Sequence, residues 1–274
     1  MTETSGNRAI LIDAHSHMDA YDEGALDQAL AEISEHRILT LSTAMDIPSF
    51  EKASGIARAC EWIVPTFGIH PWRAMEYADR LEGLDPYIEQ SPMLGELGLD
   101  YYYISDRKTY PAQRKVFEYF LSAAREQEKI VNIHTKGAER DAVDALRRFG
   151  IDRAIVHWYS GPFDTFDELV DLGAYFTVGV EIGYSSHIEA IARDIPMDRL
   201  LTETDNPSGM TWQNGDLGMP LHINHPVKAL AGLLDMSMEE VVRTVQANFA
   251  RLIRDDPRLS DIYLKLASPV DSTD

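Results

Sequence analysis

Eight short apolar stretches rich in β-branched residues recur along the chain, at residues 9–15, 37–44, 62–69, 93–98, 129–134, 153–157, 174–180 and 199–204. Amphipathic stretches near 23–35, 49–60, 78–90, 110–128, 138–149, 163–172 and 186–194 separate them. Two more helical patterns, near 224–235 and 238–254, follow the last run. A strand followed by a helix, eight times over, points to a (β/α)8 TIM barrel of the α/β class rather than to an open sheet. The length of 274 residues suits one such domain. Ser49 after Pro48 is a candidate helix cap, and Ser237 with Glu240 a capping box. The barrel is expected over residues 1–256, with 257–274 a polar, partly disordered tail.

A barrel of this kind builds its active site at the C-terminal ends of its strands, so the residues that end each run carry the functional signal. The first run ends in His15 and His17, whose i, i+2 spacing projects both imidazoles to one face of a strand. The third ends at His70, the fourth at Glu96, the fifth at His134, the sixth at His157 and the eighth at Glu203 and Asp205. Any one of these has an ordinary structural explanation: His134 as a hydrogen-bonded barrel residue, Glu96 as a turn carboxylate. Together, His15, His17, His134, His157, Glu96 and Asp205 crowd one rim with groups that are self-repelling and poorly solvated when unpaired. Bound divalent metal resolves that conflict. Nitrogen and oxygen donors, with Cys60 the chain's single cysteine, suit zinc, manganese or magnesium.

Charge narrows the substrate. Lys and Arg number 25 against 45 Asp and Glu, a net charge of −20, so broad non-specific duplex binding is not expected. A nucleic-acid substrate needs local cations at the site, and bound divalent metals can supply them. Residues 1–8 lack the apolar core of a signal peptide, and no apolar run approaches the ~20 residues of a membrane span. The lone cysteine excludes an intrachain disulfide framework. A soluble cytoplasmic enzyme is the expectation.

The motifs, in order, are Asp13-Ala14-His15-Ser16-His17, Gly68-Ile69-His70-Pro71, Gly95-Glu96-Leu97-Gly98-Leu99-Asp100-Tyr101, Gln113-Arg114 with Phe117, Asn132-Ile133-His134, His157-Trp158-Tyr159-Ser160-Gly161 and Glu203-Thr204-Asp205-Asn206-Pro207. This series resembles the TatD-type metal-dependent hydrolases, a deoxyribonuclease branch of the amidohydrolase superfamily. The resemblance implies a (β/α)8 barrel with two divalent ions, Mg2+, Mn2+ or Zn2+. It places His15, His17 and Asp205 on the first ion and His134 and His157 on the second, with Glu96 bridging. It also suggests Glu203 as a substrate or water contact, and His70 as a substrate contact or a brace for the rim.

The departures from the family bear on substrate. From Asn206 to Val227 there is no Lys or Arg, where many relatives carry cations suited to a phosphate. His222 and His225 are the candidates to compensate. Lys136 stands where relatives have arginine, keeping the charge without the bidentate fork. Trp158, Tyr159 and Trp212 add aromatic surface that can stack on bases or pack between loops. Glu181 has no assigned role. The His-Trp-Tyr-Ser-Gly and Thr-Asp-Asn-Pro variants resemble the QatD-type branch found beside anti-phage operons, which implies protein partners in a multi-gene defence system.

The expected activity is metal-dependent phosphodiester hydrolysis at DNA ends or on single-stranded DNA, with Asp205 orienting or deprotonating the attacking water and Glu96 as the second catalytic carboxylate. Two alternatives stay open. One is a metal-dependent amide or ester hydrolase of a small molecule, favoured by the missing cations. The other is a non-catalytic, metal-stabilised subunit of a larger assembly.

Overall fold

The computed structural model describes residues 9–267, and within it strands and helices alternate as the sequence predicts. β1 (Leu11–Ser16) leads to α1 (Glu23–His36), β2 (Ile38–Thr43) to α2 (Ile47–Ala57), and β3 (Ile63–Thr66) to two short helices, α3 (Ala74–Tyr77) and α4 (Asp85–Gln90). β4 (Leu94–Asp100) precedes α5 (Tyr110–Gln127), β5 (Val131–Lys136) precedes α6 (Glu139–Phe149), and β6 (Ala154–Val156) precedes α7 (Phe163–Asp171). β7 (Tyr175–Val178) is followed by α8 (Ser186–Asp194). β8 (Leu200–Thr202) is followed by α9 (Ser208–Asn214), α10 (Asn224–Leu234), α11 (Met238–Ile253) and α12 (Ser260–Ala267).

All paired strands are parallel, running β1-β2-β3 and β4-β5-β6-β7-β8. Two seams join these groups. At one, Phe67 pairs with Leu94. At the other, Asp205 N donates to His15 O at 2.9 Å and His17 N to Asn206 O at 2.6 Å. The sheet thus closes into an eight-stranded barrel with the helices outside.

Burial explains the composition of each layer. Every residue of β2 and β4 is buried, because a barrel strand faces packed side chains inside and helices outside. On α5 the buried Gln113, Val116, Phe117, Phe120, Leu121 and Ala124 recur at helical spacing, and that stripe meets the sheet. Two glycines are dictated by close approach. A Cβ on Gly68 would stand 2.2 Å from Glu96 O, and one on Gly98, at φ +151°, would stand 2.0 Å from His134 O. Both motif glycines therefore let backbones converge where site residues are presented.

Three expectations are corrected. The helix expected near 78–90 is broken into a 3-10 turn, Leu81–Leu84, and α4, with Pro86 in the first turn of α4. The N-cap of α2 is Asp46, not Ser49. Ser49 is the reciprocal member of that box, its N donating to Asp46 Oδ1 at 3.0 Å and its Oγ accepting from Asp46 N at 2.9 Å. The Ser237–Glu240 box forms as expected, with Ser237 N donating to Glu240 Oε2 at 2.8 Å.

The third correction concerns the expected tail. Residues 257–267 form a 3-10 turn and α12, with Leu259 and Leu266 buried, while 268–274 lie outside the described residues. Arg258 fastens this segment, donating to Asp256 Oδ1 at 2.7 Å and to the carbonyls of Gln127 and Glu128 at 2.6 and 2.8 Å. Ending the chain at Asp256 would uncover apolar surface on α11 and lower the melting temperature by about 10 °C, from roughly 3–6 kcal/mol of lost burial. An unchanged thermal transition in the truncated protein would show the segment to be a tail after all.

Candidate metal centre

Glu96 stands at the centre of the strand-end cluster, 3% exposed, and its two oxygens face different histidines. Oε2 lies 3.4 Å from His17 Nε2 and 3.6 Å from His15 Nε2. Oε1 lies 2.9 Å from His134 Nδ1, 3.1 Å from His157 Nε2 and 3.3 Å from His70 Nε2. Asp205 closes the first side, with Oδ1 3.2 Å from His17 Nε2 and 3.8 Å from His15 Nε2. The His15 and His157 rings stack at 3.7 Å and 10°, joining the two sides. All six residues expected to hold metal are thus brought together.

The hydrogen bonds behind the rings fix which nitrogen faces inward as a lone pair. His17 Nδ1 is 2.8 Å from the Thr43 carbonyl, which can only accept, so the proton sits on Nδ1 and Nε2 is left basic. Asn132 Nδ2 donates to Ala14 O at 2.8 Å, which turns Asn132 Oδ1 toward His15 Nδ1 at 2.9 Å. His15 therefore also donates from Nδ1 and offers Nε2 inward. His134 is oriented from the other end: Asp100 Oδ2 is 3.2 Å from its Nε2, leaving Nδ1 toward Glu96. Asp100 is held in turn by Trp72 Nε1 at 2.7 Å and by the backbone N–H groups of Tyr102 and Tyr103. Metal-binding histidines are ordinarily oriented this way, by a carbonyl, amide or carboxylate on the far nitrogen.

His70 differs. Its Nδ1 accepts from the backbone N of Trp72 at 3.2 Å, so its proton is on Nε2, the atom facing Glu96. Burial pushes its pKa down to about 4, which keeps the ring neutral. It presents an N–H to the centre, not a lone pair.

Charges in the cluster are strongly coupled. Burial works against ionised Glu96, yet the His70 and His15 rings hold its pKa well below the usual carboxylate range. Asp205 is likewise lowered against burial, chiefly by His17. Burial also opposes a charged His17, but Asp205 and Glu96 raise it to about 9, and Glu203 with Glu96 raises His157 to about 10. Buried carboxylates here gather positive charge. Among the described residues, three overlapping groups have donor atoms within 4.8 Å of one another: His15, His17 and Glu96; His15, His157 and Glu203; and His70, Glu96 and His134. His157 Nδ1 and both Glu203 oxygens are buried without a hydrogen-bond partner. The basic inward nitrogens hold protons against the carboxylates in the metal-free protein and would exchange them for a cation. Together with the ionised carboxylates and unsatisfied buried donor atoms they fit divalent ions, with N and O ligands throughout.

The residues expected at the substrate fare differently. Glu203 is fully buried, its Oε2 3.4 Å from His157 Nδ1, so it lies against the cluster beside that ring. Tyr159 is corrected. It is buried between Phe166 and Phe176, with its hydroxyl 2.6 Å from Pro162 O and 2.7 Å from Thr165 Oγ1, and offers no face for stacking. Lys136 is turned into the loop after β6, donating to Ser160 Oγ at 2.7 Å and Trp158 O at 3.2 Å. Trp158, at φ +40°, donates from Nε1 to Glu181 Oε2 at 2.5 Å, which gives Glu181 its role as a loop brace. His222 accepts from Met219 N and His225 reaches Ile182 O, so neither replaces the missing cations.

Three orienting residues had no role assigned from the sequence: Asp100, Asn132 and Thr43. The signal was present for two of them. Asn132 stands two residues before His134 and Asp100 four after Glu96, and even spacing along a strand places residues on one face.

The chain matches the family described as TatD related DNase over residues 12–254. An uncharacterised metal-dependent hydrolase of Escherichia coli K12, YcfH, is 29% identical over 265 residues, covering 92% of this chain and 99% of that protein. The human deoxyribonuclease TATDN3 is 25% identical, covering 93% and 97%. Among solved structures, the TatD homologue YjjV of Escherichia coli superposes with a TM-score of 0.80 at 22% identity, over 88% of this chain and 97% of that one. The barrel, the ligand cluster and the span of the match lead to one conclusion: the chain belongs to the TatD-related DNase family of metal-dependent hydrolases.

Proposed function

We propose that this protein hydrolyses phosphodiester bonds of DNA with two divalent ions, acting on strand ends or single strands in the cytoplasm. Glu96 carries the reading. A carboxylate that turns one oxygen to His15 and His17 and the other to His134 and His157 is built to be shared by two cations. His15, His17 and Asp205 would hold one ion, His134 and His157 the other. When bound, such a pair neutralises phosphoryl oxygens and acidifies water for in-line attack. The name deoxyribonuclease borne by human TATDN3 supports DNA as the substrate. A part in anti-phage defence with protein partners belongs to the proposal on the sequence resemblance alone.

The chain's own residues have distinct tasks. Asp205 is the proton acceptor, its carboxylate kept ionised beside His17 and presented from a left-handed backbone at φ +51°. His70 Nε2–H is the donor available to a phosphoryl or leaving-group oxygen. Asp100, Asn132 and Thr43 hold the rings still. His15, His17, Glu96, His134 and His157 are buried and Asp205 is 16% exposed, so a phosphate has to come down among the strand ends, which a free strand end does more readily than an intact duplex. This favours end or single-strand cleavage over internal cutting of duplex.

Full-length protein stripped by a chelator should lose activity on DNA and regain it with Mg2+, Mn2+ or Zn2+. Glu96→Gln should lower kcat by at least ~100-fold, since it removes the central charge and keeps the shape. DNA left intact with every metal, or a Glu96→Gln variant at the wild-type rate, would refute the assignment. The missing cations at 206–227 favour a second reading, an amide or ester hydrolase, and that reading wins if esters are cleaved while DNA survives.

Asp100→Asn tests the orienting carboxylate separately. Calorimetric titration should show metal affinity weakened by about 10- to 100-fold, the usual cost of losing such a partner. Equal affinity in the variant would remove Asp100 from the site.

A further inference from the structure

Large aromatic side chains stand uncovered on the rim beside the metal centre. Trp72 is 42% exposed, Tyr103 48%, Trp212 65% and Tyr102 70%. They come from three separate loops: Trp72 from the 3-10 turn Pro71–Arg73 after β3, Tyr102 and Tyr103 from the segment after β4, Trp212 from α9 after β8. Yet they form one row. Ring centroids step from His134 to His70 at 4.7 Å, to Trp72 at 4.8 Å, to Tyr103 at 6.0 Å and to Trp212 at 5.9 Å. Tyr102 sits edge-on to Tyr103 at 4.9 Å.

The inner end of the row is locked to the ligand cluster. Trp72 Nε1 donates to Asp100 Oδ2 at 2.7 Å, and the same oxygen lies 3.2 Å from His134 Nε2. Tyr103 N donates to the other oxygen of Asp100 at 2.8 Å. One carboxylate therefore sets both a candidate ligand and the start of the aromatic row. Isolated exposed aromatics are common on proteins, but a contiguous row tied to a candidate active site marks a binding surface.

We propose that Trp72, Tyr103 and Trp212 form a stacking shelf for unpaired bases of the DNA strand whose phosphodiester enters the metal centre; this rests on the nuclease reading. The chemistry selects this occupant. The loop over residues 206–227, which carries Trp212, has no Lys or Arg to hold phosphates, in a chain of net charge −20. Stacking on a π-face needs no such cations and tolerates any base. Bases within a duplex are covered by their neighbours, so the shelf accepts a single strand or a frayed end.

The test compares two synthetic single strands, one of thymidines and one in which the nucleotides nearest the cleaved bond are abasic. Both keep every phosphate. With metal-loaded full-length protein, KM should rise about 5- to 100-fold for the abasic strand, the range for losing a stacked base. Trp212→Ala should raise KM for the thymidine strand by a similar factor and add little on the abasic one. Trp72 is left intact because it holds Asp100. Cleavage of both strands with equal KM, or a Trp212→Ala effect equal on both, overturns the shelf and leaves the nuclease reading standing. Failure to cleave either strand overturns both.

Discussion

A buried carboxylate surrounded by imidazoles is the interaction on which the upper half of this barrel depends. Glu96, 3% exposed, gives up most of its hydration, a cost of several kcal/mol for an ion without partners. Five rings approach it, and each of His15, His17, His70 and His134 is held from behind by a group on another part of the chain: Asn132 on β5, Thr43 on β2, the backbone after β3, and Asp100 on β4. Thr43 and Asp100 reach their rings from a neighbouring strand, Asn132 reaches His15 from across the barrel, and His70 is held by its own turn. A closed barrel brings the ends of adjacent and opposite strands together around one point, which an open sheet cannot do.

The backbone around the cluster has been shaped to bring these groups within reach. Gly68 lets β3 pass close to the Glu96 carbonyl, and Gly98 lets β4 meet the His134 carbonyl. Asp205 and Trp158 both occupy the left-handed region, at φ +51° and +40°, where a residue with a side chain costs about 1–3 kcal/mol. Compensation for Asp205 is visible: its N donates to His15 O, and its carbonyl accepts from Gly209 N at 2.7 Å. The first of these bonds also stitches the end of β8 to β1, so the turn that aims Asp205 is part of the barrel's closure.

What could be read from the sequence was the placement of polar residues at the ends of apolar runs, because barrel geometry gives every strand end the same destination. The six candidate ligands followed from that rule and from the family resemblance. The residues misjudged are those whose role depends on what lies behind them. Tyr159 and Trp158 are adjacent and equally aromatic, yet one turns into the core between Phe166 and Phe176 and the other lies along the rim bonded to Glu181. Nothing in their order announces that. His70 was ambiguous because its tautomer is set by the tight turn that brings Trp72 N onto Nδ1. The terminal helix was readable: Leu259, Ile262, Tyr263 and Leu266 recur at helical spacing, but Pro257 and the charges between them mask a stripe of only four residues.

The net charge of −20 sharpens how a polyanion could approach. At physiological salt, charge effects fade beyond about 8 Å, so most of the acidic surface is screened from a strand already at the rim. What counts locally is the centre itself. If two divalent ions bind there as proposed, they outweigh the charges of Glu96 and Asp205 and supply a short-range attraction for one phosphate and not for a whole backbone. On the proposed reading the enzyme has little affinity for passing duplex, and it would engage a strand where a phosphate can come down to the ions and the bases beside it can leave their stack. Selectivity for ends would then come from the burial of the ligand cluster and from the aromatic rim, two features set by packing, with long-range charge acting against every other encounter.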